Sequence, residues 1–208
     1  AVPYQDYYWP YGPLMPYYYS LFFKWLGVNI PSVLVAKMLL NLLSGAFVYL
    51  GLATLIRPFA AWVAAVWFMT FNPDFFFTYN HAGGVTMLTA TGYCLFLYLQ
   101  SPRARYLYWG FFCIFALSLI KINFGIATLF AFLISAWAMD RLEKNPPRTR
   151  LYLPLAPAMP AVVITIYWFL LNGLTVAEIR QCMPYLVGNQ PHNTSLWQGV
   201  CLFIKALA

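Results

Sequence analysis

The sequence predicts an all-α integral membrane protein, and three observations carry that prediction. Charged residues make up only 8% of the 208 residues, while hydrophobic ones reach 62%. A soluble domain of this size would carry about 25% charged residues, because its core needs a wetted surface. The apolar residues fall in long blocks, as helices crossing a hydrocarbon layer about 30 Å thick require. Short links rich in Arg and Lys divide several of those blocks, the mark of loops held on the cytoplasmic face.

Residues 1–208 read as a single transmembrane domain. Residues 1–31 form an extracytoplasmic loop that ends in an interfacial helix over 16–26. That helix sets Tyr17, Tyr18, Tyr19 and Trp25 at headgroup depth. Six crossings are expected within 32–171. The first covers 32–55, and a short second one covers 58–71, stopped by Asn72-Pro73-Asp74. The third covers 83–99. The block 106–139 is too long for one crossing, since its helical length of about 50 Å exceeds the core thickness. Dividing it at Lys121 yields the fourth and fifth. The sixth covers 151–171 and is softened by Pro154, Pro157 and Pro160. Residues 172–195 form a second extracytoplasmic loop, and 196–208 begin another crossing. The chain opens in a Tyr/Pro-rich stretch and closes inside an apolar run, so the pattern predicts further helices on both sides of it.

The basic residues set the orientation. Arg57, Arg103, Arg105, Arg141, Lys144, Arg148 and Arg150 fall on one side of this layout, against Lys24, Lys121 and Arg180 on the other. The richer side is cytoplasmic. The net charge of +7 is thereby explained by membrane topology and carries no indication of nucleic-acid binding. Cys94, Cys113, Cys182 and Cys201 show neither a disulfide framework nor a CxxC pair, and serve as apolar filler. P-loop, GxGxxG, HExxH and GxSxG patterns are missing, which argues against an ATPase, a nucleotide-cofactor enzyme, a zincin or a serine hydrolase.

This layout puts Asp6, Asp74, Glu178, His81 and His192 on the extracytoplasmic side, where the long non-spanning stretches also lie. Chemistry is expected there. The run from Pro3 to Leu14 is dense in Pro and aromatics around one acid, Asp6. Such a run folds as a rigid loop, and an acid near the hydrocarbon boundary is costly unless paired or used. Asp74 follows Asn72-Pro73, a turn-forming context, and is the second candidate acid. His81, in Tyr79-Asn80-His81-Ala82-Gly83-Gly84, is a candidate for phosphate or acceptor binding. Thr175-Val176-Ala177-Glu178 matches a capping box, which gives Glu178 a structural role. Arg180 follows it and is placed to grip a lipid phosphate.

The run PYQDYYWPYGPLMPYYYSLFFKWLG, Pro3 to Gly27, resembles the first extracytoplasmic loop of bacterial GT-C-type membrane glycosyltransferases, near the protein O-mannosyltransferase and aminoarabinose transferase-like families. Lys121-Ile122-Asn123-Phe124-Gly125 resembles a Lys-x-x-x-Gly turn between two later helices of such proteins. The resemblance implies a GT-C-like helix bundle in the bacterial inner membrane with its active site facing the periplasm. It also implies an inverting sugar transfer from a polyprenyl-phosphate-linked donor to a lipid, glycan or protein acceptor. Asp6 takes the position of the general base, with Tyr4 and Tyr11 of the same motif as substrate contacts. Lys121 and Asn123 are expected at the donor phosphate. Many relatives carry a second acid beside the first, whereas Gln5 and Tyr7 flank Asp6. No cofactor is expected, and no paired-acid motif supports a divalent metal. A transporter or lipid flippase is the alternative reading, with Lys37, Asn41 and the prolines of the sixth crossing lining a pathway.

Overall fold

The computed structural model describes residues 12–70, 79–142, 155–171 and 174–175. These residues are helical throughout their regular structure, with no strand among them. The helices are α1 (Leu14–Leu26), α2 (Ile30–Leu52), α3 (Pro58–Thr70), α4 (Tyr79–Gln100), α5 (Ala104–Ile120), α6 (Ile122–Leu142) and α7 (Leu155–Leu171). The chain divides into two compact units, 12–165 and 1–11 with 166–208. The larger unit, 12–165, holds α1 to α6 and the first part of α7.

Among the described residues, three segments are long and apolar enough to cross a membrane: Ile30–Leu52, Asn80–Gln100 and Ile122–Arg141. Pro58–Thr70, Ala104–Ile120 and Leu155–Leu171 are apolar but shorter. At 1.5 Å per residue, a 13-residue helix such as α3 rises only about 20 Å. The side chains are distributed as lipid demands. Trp62, Trp67, Phe112, Phe130 and Ile134 are exposed, whereas Ser32, Lys37, Ser44, Asn80, Thr86 and Ser118 are buried. Apolar groups facing outward and polar groups facing inward suit a hydrocarbon solvent, and the chain is a membrane protein.

Local chemistry explains the helix boundaries. Asn29 starts α2 by accepting from the Ser32 backbone N–H at 2.8 Å, and Pro31 occupies the first turn, where its missing N–H costs nothing. The hydropathy pattern alone puts this start two residues later. At α4 the difference matters more. Tyr79–Ala82, expected in a loop, form the first turn of that helix, so His81 is a helical residue. The division of the long block at Lys121 is a single residue wide, with α5 ending at Ile120 and α6 beginning at Ile122.

Side-chain contacts fix the helix directions. Thr86 Oγ1 donates to the Leu40 carbonyl at 3.0 Å, and Phe47 packs on Tyr93, so α2 and α4 run parallel. Asn41 Nδ2 donates to the Met69 carbonyl at 3.1 Å, bringing the end of α3 back beside the first half of α2. Phe111 meets Phe132 edge-on, and α5 and α6 form an antiparallel hairpin. Tyr98 donates to Asp140 Oδ1 at 2.8 Å, joining the C-terminal ends of α4 and α6. One end of the larger unit therefore carries Arg57, Arg103, Arg105 and Arg141. The other carries Gly12, Asn80, His81 and Lys121. The Cys94 and Cys113 thiols interact between α4 and α5, so these two residues, distant in sequence, are neighbours in space.

Candidate functional site

Three segments meet at the end opposite the arginines. The first is Gly12–Met15, the close of the Tyr/Pro-rich run and the start of α1. The second is the first turn and a half of α4. The third is the α5–α6 junction at Lys121. Lys121 has an extended backbone, φ −146° and ψ 103°. Its N–H still donates to Leu117 O at 2.8 Å, and its carbonyl accepts from Gly125 N at 3.0 Å. One residue thus closes α5 and opens α6. A helix ending here leaves carbonyls without intrahelical partners, and the Ile120 carbonyl receives the Gly12 N–H at 3.0 Å. Gly12 thereby caps the end of α5.

Two glycines make the junction tight. A Cβ at Gly125 would strike Ser118, including that residue's backbone Cα at 2.6 Å. The small residue in the Lys-x-x-x-Gly spacing is therefore what lets α5 and α6 approach so soon after the break. A Cβ at Gly83 would strike the Met15 sulfur and come within 3.2 Å of Ile120 Cδ1. Met15 is 2% exposed and Tyr19, one turn on, 5%. Met15 seats the start of α1 against Gly83 of α4. Tyr18 extends the attachment by donating to the Ala36 carbonyl at 2.8 Å, and burial pushes its phenol up to about 12.

Compared with known proteins, the chain matches no family model, no curated protein and no solved structure. What the junction can do follows from its side chains. Lys121 is half-buried with Nζ 5.1 Å from the Phe124 ring centroid, a cation held against an aromatic face at the edge of the site. Asn123 is exposed in the first turn of α6. His81 is half-buried in the first turn of α4. Lys121, Asn123 and His81 therefore lie at one end of the unit. Asp6, Tyr4, Tyr11, Asp74 and Arg180 lie outside the described residues. No group of three or more His, Cys, Asp or Glu suited to a metal occurs among the described residues.

Two buried polar side chains gain weight from the structure. Asn80 precedes His81 and is 1% exposed. The sequence signal for it is a polar residue followed at i+3 and i+4 by Gly83 and Gly84, a helix face cut low for close packing. Lys37 lies within α2, 4% exposed. The sequence gives it an inward role only under the transporter reading, as a residue lining a pathway.

Proposed function

We propose that this chain forms part of a bacterial inner-membrane glycosyltransferase of the GT-C type, working at the periplasmic face. It moves a sugar from a polyprenyl-phosphate-linked donor to a lipid, glycan or protein acceptor. The observation that carries this reading is the Gly12–Ile120 hydrogen bond. It brings Gly12, near the close of the Pro3–Leu14 run, to the Lys121 turn, and this supports reading the two motifs that resemble GT-C enzymes together. The arginines at the opposite end agree with a cytoplasmic location for that end.

In the proposed reaction the acceptor hydroxyl oxygen bonds to the anomeric carbon from the face opposite the donor phosphate. The bond from that carbon to the phosphate oxygen breaks, which inverts the configuration. The hydroxyl proton passes to the Asp6 carboxylate, and the departing phosphate keeps the electron pair. Asp6 is the one acid in an aromatic-rich run of the sequence, and a carboxylate that is partly desolvated is a stronger base. Lys121 neutralises the charge that builds on the leaving phosphate, with Asn123 and His81 as hydrogen-bonding partners of donor or acceptor. Asp6→Asn keeps the shape of the side chain but cannot take the proton. In the full-length protein, transfer is expected to fall by roughly two orders of magnitude or more, while expression and donor binding persist. Wild-type transfer rates in this variant would sink the assignment.

The burial of Lys37 inside a helix long enough to span the membrane favours a second reading, a transporter or lipid flippase, because intramembrane cations often mark transport pathways. Movement of lipid across vesicles without formation of a glycosidic bond would decide for it.

A further inference from the structure

Asn80 has no part in the transfer scheme above, yet its surroundings require an account. It is 1% exposed, and among the described residues neither Oδ1 nor Nδ2 has a hydrogen-bond partner. A buried amide left unsatisfied at both ends is costly, and packing alone would be better served by leucine. Its neighbours on α4 define its place. Asn80 shares a face of α4 with Gly83 and Gly84. Gly83 lies against Met15 and Ile120, and Gly84 against Leu117. α4 and α5 run antiparallel, so moving one turn outward from Gly83 leads past Ile120 toward Lys121. Asn80 therefore sits beside the point where Gly12 meets Ile120, next to the proposed place of the donor phosphate.

The two vacant ends of the amide restrict its partner. A phosphate only accepts hydrogen bonds, which leaves Oδ1 unmet. An ammonium only donates, which leaves Nδ2 unmet. Hydroxyl groups do both, and a sugar ring presents several side by side. We infer that Asn80 binds the sugar of the lipid-linked donor, with Nδ2 donating to one hydroxyl and Oδ1 accepting from another. This rests on the glycosyltransferase reading, and it gives the site a sugar-contacting residue separate from the phosphate-contacting Lys121.

The test compares wild type, Asn80→Leu and Asn80→Asp in the full-length protein, purified in a sugar-free detergent. Binding is measured for polyprenyl phosphate and for its glucosyl, mannosyl and galactosyl derivatives. Asn80→Leu is expected to unfold at or above the wild-type temperature without ligand, since it removes an unsatisfied group. Its affinity for the preferred sugar-bearing lipid is expected to fall on the order of ten- to a hundredfold. Affinity for the sugar-free lipid should stay within about twofold, because the phosphate contacts are untouched. Asn80→Asp loses the donor and adds a charge that repels the phosphate, so it should weaken binding of both lipids, the sugar-bearing one more. Equal losses for both lipids, or a loss for neither, would overturn the inference. If wild type binds none of these lipids, the donor reading itself fails. The same variants are then titrated with octyl hexosides. Weaker binding by Asn80→Leu would retain the sugar contact without the donor, and equal binding would remove both.

Discussion

The two halves of the helical unit are built on opposite terms. The half nearer the arginines is apolar and closed. Tyr98, Leu107, Phe111, Ile114, Leu129, Phe132, Ala136 and Met159 form one buried cluster, and its most polar member, Tyr98, is satisfied by Asp140. The half nearer Lys121 buries Lys37, Asn80, Thr86 and Ser118 and leaves both ends of Asn80 unsatisfied. Packing and hydrogen bonding account fully for the first half. In the second, glycines bring helices close and a polar group is held without its partner, a pattern that costs stability and is retained where a ligand supplies what is missing. The contrast separates a closed scaffold from the proposed site.

Topology offers the sharpest way to break this comparison, since its outcome is all-or-none. With Cys94, Cys113, Cys182 and Cys201 replaced by serine, single cysteines at Val28 and Thr54 are placed on exposed residues at the two ends. An impermeant thiol reagent is expected to label position 28 in intact cells and position 54 only after permeabilisation. Labelling at 54 from outside would invert the placement of the site.

Next in size is Phe132→Ala. Phe132 is 2% exposed and its ring lies edge-on against Phe111, 5.4 Å between centroids. Removing it opens a cavity in the closed half, and a loss of about 3–5 kcal/mol is expected in reversible unfolding. Affinity for the donor, measured below the unfolding transition, should change little. A donor affinity that collapses together with stability would erase the distinction between the halves.

Much of this arrangement is legible in the residues. Length forces the division of 106–139, and the charge of Lys121 marks where it falls. The apolar blocks mark the helices, and the spacing of the arginines marks one end. The first turn of α4 is less legible, because a helix begins where backbone hydrogen bonds form, and hydropathy rises only after the polar residues Asn80 and His81 have passed. The cap that Gly12 places on Ile120 is not legible at all. It joins distant parts of the chain through two backbone groups, and neither composition nor periodicity records such a contact. Nor does the pattern tell which polar residues turn inward, since Lys37 and Asn80 differ from snorkelling or loop residues only in what packs over them.

The central claim, that the junction at Lys121 holds the phosphate of a lipid-linked donor, is tested most directly by the kinetics of Lys121→Ala in the full-length protein. Because Lys121 is half-buried at the edge of the unit, its unfolding temperature should remain close to wild type. Transfer from the sugar-bearing polyprenyl phosphate should fall on the order of a hundredfold in kcat/KM, through weaker donor binding and a slower step. Lys121→Arg should recover part of both, since it restores the charge with a different geometry. Unchanged constants in the alanine variant would contradict the claim and leave Lys121 as an anchor at the membrane surface.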